Sequence, residues 1–306
     1  MEDLGQIEKK MVRLVEERGV AAFPYITTIK QILEYVQKEI VGISEGETKV
    51  VIIPNNLTSK IDFIDNLNIT VTVEDGENLA YKYGGGCANI SKNTKLIDGK
   101  IDYCEISVDA YSFCGILYKH TIYNNLCHEI NHLYEAWKEL THSGTMEIFA
   151  KQATKASVDT NWFNDANLNN IFKLIFYRLY SETELNALIA GVYGDLTGMH
   201  SQRVNFARDI KRTQAYKVYL KIKIELNDVV EILKDNPNLI GAILNIVKNY
   251  GIELNPYNKS PEGYIKEFKR KTLYLLKQLL KGIGKTASLY YDSIEVPEDD
   301  YNITIK

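Results

Sequence analysis

An α+β fold is what this sequence predicts, and three observations predict it. Short β-branched or alternating stretches broken by turn residues fill the first third. Beyond residue 118, apolar positions recur at steps of three and four almost throughout. Between Pro54 and Pro237 there is no proline, which suits long uninterrupted helices. The expected architecture is a small, mostly antiparallel sheet with a helix against it in residues 1–200, then a mostly α-helical region in residues 201–306.

Residues 25–41 read as an amphipathic helix through Ile29, Ile32, Leu33, Val36 and Ile40. Residues 49–53 form a short apolar run stopped by Pro54-Asn55-Asn56, a strand. A second strand covers 68–73 and ends at Glu74-Asp75-Gly76. Gly84-Gly85-Gly86 reads as a turn or bulge near the sheet edge. Residues 102–111 then alternate: Cys104, Ile106, Val108 and Ala110 face one way, Tyr103, Glu105, Ser107 and Asp109 the other. Helix breaks fall at Asp235-Asn236-Pro237 and across 255–263, and the segment past Pro297 is acidic.

Bulk properties narrow the function classes. The chain has 306 residues and a net charge of -4, so no general attraction to nucleic acid or anionic lipid is built in. No apolar run is long enough for a membrane span, and MEDLGQIEKK at the start lacks the apolar core of a secretion signal. The expected location is cytoplasmic or virion-associated. Cys87, Cys104, Cys114 and Cys127 show no C-x-x-C spacing and read as buried thiols. Gly282-Ile-Gly284-Lys285-Thr286 ends like a phosphate-binding loop, but position 279 is leucine and a helix precedes it, so that reading fails. The basic helix 264–285 offers a surface for a protein partner, although such faces are usually only solvated.

The most informative segment is 119–140. Ile122, Leu126, Ile130, Leu133, Trp137 and Leu140 form one apolar stripe, and Thr121, Asn125, His128, His132 and Glu135 lie opposite. His128 and His132 stand one helical turn apart, so both imidazoles can meet one ion, and Glu129 is placed to take a proton from water. Zinc takes such nitrogen ligands tetrahedrally. A solvated polar face is the competing reading. Two histidines leave a ligand missing. His142 lies at or beyond the helix end, whereas Ser181-Glu182-Thr183-Glu184 opens another helix. There Glu184 shares a row with Ala187 and Gly191, Gly194 nearby, and small residues permit close approach to the histidine helix. Glu182, with Asn186 four residues on, stays open as the alternative.

His128-Glu129-Ile-Asn-His132 followed by Glu184-Leu-Asn-Ala187 resembles the H-E-x-x-H…E-x-x-A pattern of gluzincin-type zincin metallopeptidases. The likeness spans roughly residues 80–200 and extends to small HExxH proteins of bacteria and their viruses. It implies a Zn²⁺ ion on His128, His132 and Glu184, Glu129 as general base, and Tyr193 or His200 as oxyanion donor. It also implies that strand 102–111 is a sheet edge holding an extended peptide or protein substrate. The expected activity is zinc-dependent peptide-bond hydrolysis; the alternatives are a catalytically silent structural or assembly protein and a peptidase-type sensor.

Overall fold

Alternation of buried and exposed residues gives the sheet its spine. In the computed structural model, which describes residues 26–75, 86–89, 94–113, 116–117, 119–145, 166–292 and 294, this spine is strand β5 (Lys100–Phe113). Cys104, Ile106, Val108 and Ala110 are all buried, and Tyr103 is exposed on the other face. Around β5 lie β1 (Thr48–Ile52), β2 (Ile64–Asp75), β3 (Gly86–Asn89), β4 (Leu96–Ile97) and β6 (Ile116–Leu117). The order is β1-β2-β5-β3, with β4 and β6 also pairing with β5.

The sheet is mixed: β2 and β5, its two longest strands, run parallel, in register from Ile64↔Ile101 to Asp75↔Ser112. Among the described residues the other four pairings are antiparallel, so the expected antiparallel majority holds around a parallel centre. One expectation is corrected: 102–111 is not an edge, since β5 is paired on both sides, with β3 beyond it. Alternation reports which face is buried and says nothing of which strands lie alongside.

The remaining elements are helical. Helix α1 (Ile26–Glu39) buries Ile29, Ile32, Leu33 and Val36, and a short α2 (Asn55–Thr58) follows β1. The sheet's buried face receives α3 (Lys119–Ser143). Then come α4 (Ala166–Lys173), a π-helical segment (Leu174–Tyr180), α5 (Glu182–Gly198), α6 (Phe206–Ile210), α7 (Gln214–Asp235), α8 (Leu239–Asn249) and α9 (Pro261–Asp292). Helix α5 is central, packed on α3, α7 and α9. One continuous hydrophobic core runs from α1 and the sheet through α3 and α5 to Tyr290 and Tyr291.

Within α9, Ile265, Phe268, Leu276, Leu279 and Ile283 are buried while Lys266, Arg270 and Lys277 are exposed, so the basic helix is core on one side and solvated on the other. Gly282 and Gly284 lie inside this helix, not in a loop. Gly84, Gly85, Cys114 and the acidic segment past Pro297 lie outside the described residues. No described helix is long and apolar enough to cross a membrane.

Candidate metal centre

Helix α3 is enclosed on both faces. Ile122, Leu126, Ile130 and Leu133 sit in the core, as the apolar stripe requires. The polar face is enclosed too: Asn125, His128, Glu129, Asn131 and His132 are each at most 9 % exposed. A solvated polar stripe is therefore not what this segment makes. Burying so many polar groups is costly unless partners meet them.

Strand β5 meets Asn125 through the Asp109 carbonyl, and helix α5 supplies partners for the two histidines and for Asn124. The start of α5 is set by Ser181, whose Oγ accepts a hydrogen bond from the backbone N–H of Glu184. Its small residues then let the backbones touch. A Cβ at Gly191 would lie 2.7 Å from Asn124 Nδ2, and one at Gly194 only 2.1 Å from the Tyr123 carbonyl oxygen. Asn124 Nδ2 ties the helices by donating to the Gly191 carbonyl at 3.0 Å and to Asp195 Oδ2 at 2.8 Å. This close approach brings the first turn of α5 to the histidines.

There the carboxylate of Glu184 spans the two imidazoles. Its Oε2 is 3.4 Å from His128 Nε2, its Oε1 is 3.3 Å from His132 Nε2, and the two nitrogens are 3.2 Å apart. A tetrahedral ion with bonds of about 2.0–2.1 Å needs ligand atoms separated by about 3.3–3.4 Å. The spacing of the two imidazole nitrogens is close to that value, and the Glu184 carboxylate lies at a similar distance from each. Glu129 completes the group, its carboxylate within 4.8 Å of the histidine nitrogens. Being next to His128 in a helix, it points off the line joining the histidines.

Burial and charge polarise the cluster. Desolvation would raise the pKa of Glu184, but hydrogen bonds from His128 and His132 hold it well below the usual carboxylate range. Desolvation lowers the pKa of His128. Burial pulls His132 the same way, yet its hydrogen bond and charge contact with Glu184 carry it above the ordinary histidine value. Glu184 is therefore a carboxylate held between the two imidazoles.

The expected residues divide accordingly. Glu184 meets the histidines, whereas Glu182, two residues earlier, is exposed. His142 is exposed at the end of α3, its Nδ1 2.7 Å from the Lys138 carbonyl. Tyr193 is buried against Tyr290, ring centroids 5.6 Å apart, and lies about 14 Å along α5 from Glu184. His200 is exposed past the end of that helix, in the left-handed region with φ +48°. Both are thus set along or past α5 from the turn that carries Glu184.

What sequence reading missed lies in the π-helical segment. Arg178 Nη1 donates to Glu184 Oε2 at 2.7 Å and stands 3.2 Å from His128 Nε2. Tyr177 hydrogen-bonds Glu184; burial first, and the Glu184 charge second, push its phenol upward. Tyr250, at the end of α8, is pushed up to about 12 by burial and by the same carboxylate. The available signal was a single arginine in the apolar run Leu-Ile-Phe-Tyr-Arg-Leu-Tyr just before Glu184: a charge held in such a run needs a partner. Cys87, expected to be buried, is exposed because it sits on the edge strand β3. Partial desolvation and then the charge of Glu129 raise its pKa, and β3 packs on α3.

Comparison with family models, with curated proteins and with solved structures finds no match.

Proposed function

We propose that the chain is a zincin-type metallopeptidase in which His128, His132 and Glu184 hold a zinc ion and Glu129 is the general base. The observation that carries this reading is the buried pair of imidazoles 3.2 Å apart, spanned by one ionised carboxylate with a second acid alongside. A divalent ion there supplies Lewis acidity, polarising a carbonyl and making water easier to deprotonate. Glu129 takes the proton from water and delivers it to the leaving amine nitrogen as the C–N bond breaks. Burial keeps Glu184 and the histidines aligned and excludes competing solvent.

The edge strand β3 supports a peptide as substrate. Among the described residues it pairs with β5 on one side only, through Gly86↔Val108 to Asn89↔Glu105, and it packs on α3. An extended segment added to its free edge would run beside the cluster.

The test pairs wild type with Glu129→Gln. Both are expected to retain about one zinc per chain by elemental analysis. Wild type should cleave members of a diverse peptide mixture, and the variant should do so about 10²–10⁴-fold more slowly. Undiminished cleavage in the variant refutes the mechanism. Zinc-loaded wild type that cleaves nothing favours a second reading, a catalytically silent structural or assembly protein. That reading also has an observation behind it: a guanidinium, Arg178, stands among the ligands.

A further inference from the structure

Glu184 is a buried carboxylate, with 11 % of its side chain exposed, and a carboxylate so placed calls for a cation beside it. The guanidinium of Arg178, itself 15 % exposed, supplies one, with Nη1 2.7 Å from Glu184 Oε2. The same nitrogen is 3.2 Å from His128 Nε2. Those two atoms are ligands in the proposed centre, so Arg178 addresses lone pairs that a metal ion requires.

The local fold makes this contact deliberate in shape. Arg178 lies in the π-helical segment Leu174–Tyr180, whose wider turn is a local departure from the α-helix before it. The chain then turns at Ser181, which caps α5 and starts the helix that carries Glu184. Six residues therefore bring the arginine back onto the carboxylate. The ring of Tyr177 lies 4.9 Å from the guanidinium carbon and flanks it.

We propose that Arg178 is a built-in counter-cation: it holds the Glu184 carboxylate in place while the centre is empty, and it opposes metal entry until it is displaced. This rests on the metal reading above. A guanidinium stays protonated at any working pH, so it cannot relieve the conflict by losing its charge. Two cations competing for the same two atoms repel strongly at this separation. The alternative is a purely structural ion pair that only orients Glu184. The two roles give opposite signs when the charge is removed: competition predicts tighter metal binding, simple orientation predicts weaker.

The experiment measures zinc affinity by competition with a chromophoric chelator, and thermal stability of the metal-free protein in EDTA. Wild type, Arg178→Met, Arg178→Gln, Arg178→Lys and His128→Ala are compared. Arg178→Met is expected to melt at lower temperature when metal-free, yet to bind zinc at least about tenfold more tightly. Arg178→Gln, which keeps a hydrogen-bond donor without the charge, should show the same gain if the methionine variant fails to fold. Arg178→Lys should stay within about threefold of wild type, because the charge is retained. Zinc binding that His128→Ala abolishes but neither neutral variant tightens overturns the counter-cation role alone. Absence of zinc binding in wild type and both neutral variants overturns the metal reading with it. Binding confined to the neutral variants supports the proposal in its strongest form.

Discussion

Asp195 shows how one buried acid ties stability to pH without touching the metal centre. Its Oδ2 accepts hydrogen bonds from Asn124 Nδ2 and from the backbone N–H of Gln214, both at 2.8 Å. Burial nevertheless dominates and raises its pKa from 3.8 to about 7. Between those values the folded chain keeps a proton that the unfolded chain releases. The folded state then binds more protons, so stability falls as pH rises, by about 1.4 kcal/mol per unit for this group. Asp195→Asn retains an acceptor oxygen and has no charge to bury. In chelator-treated samples, its melting temperature should fall less than that of wild type between pH 5 and pH 7, as thermal denaturation will show. A variant whose pH dependence matches wild type would remove Asp195 from the account. At this scale the sequence is partly legible. The histidine spacing is local and can be read; the partner of Glu184 cannot, because Arg178 reaches it only through a turn at Ser181.

The α3–α5 contact is the element on which the site depends. Gly194 has no room for a methyl group, since its Cβ would meet the backbone of Tyr123 at 2.1 Å. Gly194→Ala must therefore push the helices apart, at a cost of about 1–3 kcal/mol or more, and carry Glu184 away from the histidines. Gly241 in α8 is exposed with nothing within 4 Å of its Cβ, so Gly241→Ala should instead stabilise by up to about 1 kcal/mol. Urea denaturation of both variants checks the opposite signs. The row Ala187, Gly191, Gly194 could be read as a close-packing surface before any coordinates. Strand β3 could not: Gly-Cys-Ala-Asn has little β propensity, and its pairing to β5 comes from sheet context. The π-helical turn was equally hidden, because apolar spacing in 174–180 is compatible with any helix.

Across the described residues, a single core joins the sheet to helix α9, and the charge of Glu184 is felt at Tyr250, in the region after residue 200. Ligation of zinc should therefore stabilise one cooperative unit. With free zinc at about 100 times its dissociation constant, the gain is about 2.7 kcal/mol, or about 4 °C in melting temperature for a chain this long. Differential scanning calorimetry should show one transition that moves upward with zinc and returns on addition of EDTA. Two transitions, only one of them zinc-sensitive, would show that the halves unfold separately. Fold class was legible from the proline gap and the change of periodicity at residue 118. The neighbours of each strand were not, since pairing is decided by contacts far apart in the chain.

The parallel pairing of β2 with β5 bears on how this chain reaches its native state. Every residue of β2 meets a partner 37 positions further on, whereas β1 and β2 approach to 16 positions at Ile52↔Asn68. No hairpin can nucleate the β2–β5 ladder; a long loop must close before its first rung forms. The helices, built from near neighbours, have no such delay. Strand β1 can pair with β2, and β4 and β6 with β5, through shorter connections. It is therefore the facing edges of β2 and β5 that are expected to wait during synthesis and refolding, the interval in which such edges join other chains.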